Sequence, residues 1–334
     1  MRSRLSPFAA FTCAFALAVT GCATEAGKTP GSADRSPARA AARTPAYAPY
    51  VSATDAAATD AAGSPSTYNL AFVVSDGSGC TPKWNGTEAV TGSAVTSRTS
   101  ALKKGGAAVR VSFGGASGKE LATTCDSASE LAAAYAGALD AAGSDAADFD
   151  IEGDELTDSA SVALRSRAIA RLQAERPDLE VSFTLPVMPS GLDADALALL
   201  ESANTYDVQV ATVNLMTMNY GESYDGDMGD YAVASAKAAH GQLRKVFGSS
   251  DAGAWRGMAL TSMIGVNDVA GETFTLADAA QVRAFAARKE IAWVSMWSAG
   301  RDRQCADGAE RDGAATDCSG VRQGAGAFGQ AFGG

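Results

Sequence analysis

The sequence predicts an α/β protein, a closed (β/α)8 TIM barrel. Three observations carry this. Short apolar runs alternate with longer amphipathic stretches from residue 46 onward, the runs number eight, and about 290 residues are available to hold them. Strands buried on both faces read as near-continuous apolar runs because helices cover their outer side. A doubly wound open sheet is the rival architecture, and no short internal repeat is evident.

The expected strands are 46–51 (AYAPYV), 68–74 (YNLAFVV), 107–113 (AAVRVSF) and 147–152 (ADFDIE) in the first half. In the second they are 179–185 (LEVSFTL), 207–218 (DVQVATVNLMTM), 256–264 (RGMALTSMI) and 291–298 (IAWVSMWS). Between them the pattern predicts helices over 87–104, 127–142, 157–175, 193–203, 229–247 and 276–289. Ser127 and Thr157 stand where N-caps are wanted. In such a barrel chemistry sits at the C-terminal ends of the strands, so the residues closing each run matter most.

Ahead of the barrel, residues 1–21 read as a lipoprotein signal peptide. Arg2 and Arg4 precede an apolar stretch too short to span a bilayer, and Val19-Thr20-Gly21-Cys22 resembles the bacterial lipobox. Cys22 is the expected lipid attachment site, with two acyl chains for stable anchoring. Residues 22–45 mix Ala, Pro, Ser, Thr and Arg without periodicity, the composition of a flexible tether, and 46–334 form the expected catalytic barrel. The protein is thus expected outside the cell, on the outer face of the membrane, as a monomer touching the bilayer only through its lipid.

Net charge is −11, and the first 45 residues carry +4 of it, so the body carries −15. So acidic a surface repels phosphate backbones and argues against nucleic acid as a partner. The single histidine, His240, removes Ser-His-Asp, Cys-His and His-rich zinc chemistry. It falls on a helical stretch and is expected at the surface. With Cys13 in the signal and Cys22 lipidated, Cys80, Cys125, Cys305 and Cys318 remain for an oxidising compartment. Three connectivities are open, and loop lengths favour Cys80 with Cys125 and Cys305 with Cys318.

The most informative run is Asp145-Ala146-Ala147-Asp148-Phe149-Asp150-Ile151-Glu152. Alternate side chains of a strand share a face, so Asp148, Asp150 and Glu152 form one inward column while Phe149 and Ile151 pack beneath helices. Neighbouring acids about 7 Å apart at Cα couple, and three cannot all ionise cheaply, so one retains a proton at neutral pH. A calcium loop is disfavoured because Ser159 replaces the bidentate Glu. Gly114 to Lys119 is no phosphate loop, since Phe113 and Glu120 break the pattern.

This run resembles the DxxDxDxE signature of glycoside hydrolase family 18 at all four acids. Ser112-Phe113-Gly114-Gly115 is similar to the family's SxGG, and Trp297 stands where the family places a Trp under the reactive sugar. The resemblance covers roughly residues 46 to 305. It implies a secreted chitinase that hydrolyses β-1,4-linked N-acetylglucosamine polymers with retention, through substrate assistance and with neither metal nor cofactor. Glu152 would be the general acid/base, Asp150 would orient the N-acetyl group, and Asp148 would share a proton with Asp150. Binding would fall to Trp297, Gly114, Gly115, Met216 and Met218.

The resemblance breaks at strand six, where Met218 occupies the place of the family's Tyr and Asn219 that of its Asp or Asn. Tyr220, two residues on, is expected to supply the missing hydroxyl, and Asn219 to orient the acetamido group. Tyr50 and Trp84 are either outer sugar contacts or core, and Asp268 either binds a hydroxyl or caps a turn. Trp293 is expected deeper in the core, and Trp255 at the start of strand seven. With little more than one helix between strands seven and eight, no inserted domain walls the groove, so endo-acting cleavage in an open cleft is expected. An endo-β-N-acetylglucosaminidase acting on glycoprotein glycans and a non-catalytic chitin-binding lectin are the alternatives.

Overall fold

The computed structural model describes residues 44–306 and 313–334. The signal, Cys22 and nearly all of the tether lie outside the described residues. Eight parallel strands follow one another around a ring. We label them β1 (Ala46–Tyr47 continuing as Tyr50–Ser52), β2 (Thr67–Ser75), β3 (Ala108–Gly114) and β4 (Ala146–Asp150). The others are β5 (Glu180–Pro186), β6 (Val210–Met216), β7 (Met258–Met263) and β8 (Trp293–Trp297). Each pairs with its successor. Pro49 has no N–H to donate and divides β1 in two. Its first piece pairs with β8 at Trp293 and Val294, and its second with β2, which closes the ring.

Helices cover the outside. Those over Ala128–Ala142, Ser159–Glu175 and Ala194–Thr205 start at Ser127, Asp158 and Asp193, whose side chains accept from the backbone N–H groups of Glu130, Ala160 and Ala196. Thr157 was the expected cap of the second, and the neighbouring Asp158 takes that place instead. Beneath these helices Phe149 stacks between Phe113 at 5.3 Å and Phe183 at 5.7 Å, and Tyr135 meets Phe113 and Phe149 edge-on. Full burial of each such ring contributes about 1.5–3 kcal/mol. The odd positions of β4 thus anchor the strand and turn its even positions inward.

Some elements differ from expectation. The helix expected from 87 begins at Ser93, because a hairpin of Pro82–Trp84 and Glu88–Ala89 precedes it. That hairpin buries Trp84 to 1% exposure, so Trp84 is core and no sugar contact. Residues 251–256 form a helical turn ahead of β7, and Trp255 stacks from it on His240 at 3.9 Å. His240 is accordingly buried rather than at the surface. Both favoured disulfides, Cys80–Cys125 and Cys305–Cys318, are present. A C-terminal helix, Ala327–Gly333, packs Phe332 on Tyr47 and Phe274, and Asp302 accepts from its Phe328 and Gly329 N–H groups.

Candidate active site

The inward column of β4 rises through the barrel in three levels. Asp148 lies deepest, at 1% exposure. Tyr50 Oη (2.8 Å) and Ser112 Oγ (3.0 Å) donate to its Oδ2, while Ser182 Oγ (2.9 Å) and Thr184 Oγ1 (2.7 Å) donate to Oδ1. Register explains the convergence, since Ser112, Asp148 and Ser182 are direct partners across β3, β4 and β5. Burial and the facing Asp148 and Asp150 push the Tyr50 phenol well above its ordinary value, so it remains a donor. Tyr50 is therefore no outer contact, although it lines the cleft from below. It belongs to the cage beneath the site, where Asn214 Nδ2 also reaches Thr184 Oγ1 at 3.0 Å.

One level up, Asp150 is 4% exposed and its Oδ1 has no hydrogen-bond partner. Burial foremost, then the charges of Glu152 and Asp148, push its carboxyl well above the usual carboxylate range. Glu152 is half-buried, just beyond the end of β4. Burial raises it too, while its hydrogen bond with Asp150 pulls it back down. Two carboxyl groups can share a hydrogen bond only if one keeps its proton. One proton is therefore held between the two carboxyls, and burial favours it on Asp150. The resemblance paired Asp150 with Asp148. Hydroxyls fill both Asp148 oxygens instead, and Asp150 turns up toward Glu152.

The cleft above has a volume of about 490 Å³, and Asp150, Glu152, Trp297, Phe72, Met218 and Asn219 line it, among others. Trp297, closing β8, stacks on Phe72 at 5.5 Å and meets Tyr50 edge-on at 5.9 Å, which leaves a firm aromatic floor. Phe72 was missed from sequence for a physical reason. Alternation counted from inward-facing Asn69 puts Phe72 beneath the helices, but the β2–β3 register shifts between Leu70 and Val73 and turns the ring into the cleft. Thr184 and Thr261, unremarkable in sequence, also reach it. So do Met216, named above among the binding residues, and Asp268, which the sequence left open between a hydroxyl contact and a turn cap.

Gly114 and Gly115 do not line the cleft. At φ +95° a Cβ on Gly114 would lie 2.1 Å from the Asp150 carbonyl oxygen, and one on Gly115 would lie 2.8 Å from the Phe72 ring. The pair instead lets β3 press against the strand and ring that form the site, and Gly115 N–H donates to Asp150 O at 2.9 Å.

Tyr220 is also elsewhere. It is 5% exposed, packs on Tyr224 and Tyr231, and accepts from Ser235 Oγ at 3.4 Å on the helix Met228–Phe247. Alternation from Met218 fails because Asn219 takes a left-handed φ of 54°, which ends the strand pattern. Asn219 does reach the rim, where its Nδ2 lies 3.4 Å from Asp268 Oδ2. Trp293 lies below, under the Arg110 guanidinium at 4.0 Å, as part of the core.

No family model matches the chain. A probable bifunctional chitinase/lysozyme from Escherichia coli (strain K12) is 35% identical over 275 residues, 77% of this chain and 31% of that protein. Endochitinase 11 of Metarhizium anisopliae is 34% identical over 275 residues, 77% of this chain and 52% of its own. The chain thus spans about a third to a half of the length of these curated relatives. The catalytic domain of a hyperthermophilic chitinase from Pyrococcus furiosus superposes with a TM-score of 0.77 at 28% identity, covering 87% of this chain and 94% of that one. Catalytic-site mutants of active domain 2 of a thermostable chitinase from that organism, solved with chito-oligosaccharides, give 0.76 at 27% identity with the same coverage.

The chain is thus similar to chitinases over 77% of its length, and its barrel superposes on a chitinase catalytic domain. The run that resembles the DxxDxDxE signature of glycoside hydrolase family 18 supplies the acid column of this cleft.

Proposed function

We propose that this chain is a chitinase that hydrolyses β-1,4-linked N-acetylglucosamine polymers with retention. The observation that carries the reading is the pairing of buried Asp150 with Glu152 above the Asp148 cage, in the cleft that Trp297 also lines. A sugar stacked on Trp297 brings its acetamido N–H to the orphaned Asp150 Oδ1. That contact favours the Asp150 anion, so the shared proton passes to Glu152. Glu152 then gives it to the glycosidic oxygen as the C1–O bond breaks, while the acetamido carbonyl oxygen bonds to C1 from the opposite face. Asp150 stabilises the resulting oxazolinium. Water next attacks C1 as the oxazolinium C1–O bond breaks and the acetamide re-forms, the Glu152 carboxylate takes the water's proton, and the double inversion retains configuration.

The chito-oligosaccharide complexes of the Pyrococcus furiosus mutants support oligomers of this sugar as ligands. We propose further that the protein acts outside the cell, held by a lipid on Cys22. The test of the function is Glu152→Gln, expected to lower kcat on chito-oligosaccharides at least 10²-fold to 10⁴-fold with little change in binding. Proton NMR of fresh products is expected to give the β-anomer first. Undiminished cleavage by the variant, or cleavage of a high-mannose glycoprotein but not chitin oligomers, overturns the reading.

A further inference from the structure

Glu272 is a buried carboxylate that the chemistry above leaves unused. It is 1% exposed and precedes the second strand of the hairpin Gly265–Val266/Thr273–Phe274 that follows β7. Gly221 N–H donates to its Oε1 at 2.8 Å, the N–H groups of Asn219 and Tyr220 face it more loosely, and its Oε2 is buried without a partner. Such a run of N–H groups around an anion is a nest, and it needs left-handed backbone. Asn219 at φ 54° and Gly221 at φ 118° supply it. The clasp is reciprocal, since Asn219 Oδ1 accepts from Asp268 N–H at 3.1 Å and Val269 N–H at 3.4 Å.

What the clasp holds is the wall of the site. Met218 and Asn219 line the cleft that contains Asp150 and Trp297. They also line a neighbouring hollow of about 600 Å³ that reaches Pro186 and Met188. Glu152 borders both hollows, so a bond beside it has one sugar in each. Glu272 lines neither.

We infer that Glu272 is a positioning residue: its carboxylate folds residues 219–221 into the nest that presents Met218 and Asn219 to the sugars on both sides of Glu152. The inference rests on the chitinase reading. It also explains why Tyr220 faces a helix, because the same left-handed turn carries that side chain away from the cleft.

Glu272→Ala is expected to raise KM for a chito-oligosaccharide about tenfold, as for one lost charge-assisted hydrogen bond, with kcat within about threefold. The pH profile of kcat is expected to stay in place, because Asp150 ends β4 and Glu152 follows it, away from the clasp. Glu272→Gln, which keeps an oxygen acceptor, is expected to recover part of the loss. Adding Asn219→Ala to either variant is expected to cost much less than Asn219→Ala alone. Where the alanine variant does not fold, the glutamine variant completes the same cycle. Calorimetric binding of the oligomer in a Glu152→Gln background reads the affinity without cleavage. Additive penalties at 219 and 272, an unchanged affinity, or a kcat that falls in step with kcat/KM overturns the inference. Failure of the unmutated enzyme to cleave the oligomer overturns the chitinase reading instead.

Discussion

At the scale of single residues, the site depends on how differently three acids on one strand are treated. Asp148 is caged by four hydroxyls, Asp150 is buried with an oxygen unpartnered, and Glu152 keeps part of its surface in water. The working form of the upper pair carries one proton. It takes up a second as pH falls and loses its last as pH rises. Burial raises both carboxyls, helped by the charges of Glu152 and Asp148 at Asp150 and of Glu155 at Glu152, so kcat is expected to persist into neutral pH before its alkaline fall, well above the roughly 3.9–4.3 of free carboxyls. A pH–rate profile on a chito-oligosaccharide checks this, and an alkaline limb at ordinary carboxylate values would contradict it. The acids themselves were legible in sequence, because alternation with Phe149 and Ile151 shows their face. Where the proton rests was not legible, because depth and contact decide it.

At the scale of elements, sequence reading held wherever periodicity ran unbroken and failed where the backbone departed from it. The register shift in β2 turned Phe72 inward, and the left-handed Asn219 turned Tyr220 outward. Neither departure leaves a mark in the hydrophobic pattern. The cysteines were easier to place, because loop length is read directly from the chain. Cys80–Cys125 ties the β2 hairpin to the start of the helix Ala128–Ala142 across 45 residues, and Cys305–Cys318 spans 13. Chain entropy makes the longer loop worth about 4 kcal/mol and the shorter about 3 kcal/mol. Serine replacement of the first pair is thus expected to lower Tm more than replacement of the second, as calorimetry on the two double variants can show.

At the scale of the whole molecule, only a short hairpin and the helix Leu276–Lys289 stand between β7 and β8, which leaves that side of the cleft low. A polymer is expected to lie across such a cleft at any internal bond. The viscosity of a soluble chitin derivative is then expected to collapse early, while reducing ends are still few, whereas a slow decline in step with reducing ends would indicate attack from a terminus. The ring has a further consequence. Tyr50, which completes the Asp148 cage, belongs to the piece of β1 that pairs with β2, while the piece just before it, Ala46 and Tyr47, docks on β8. The cage is therefore stapled at the seam between the first barrel strand and the last, and loosening that seam is expected to disturb the hydroxyls around Asp148 before it disturbs the acids of β4.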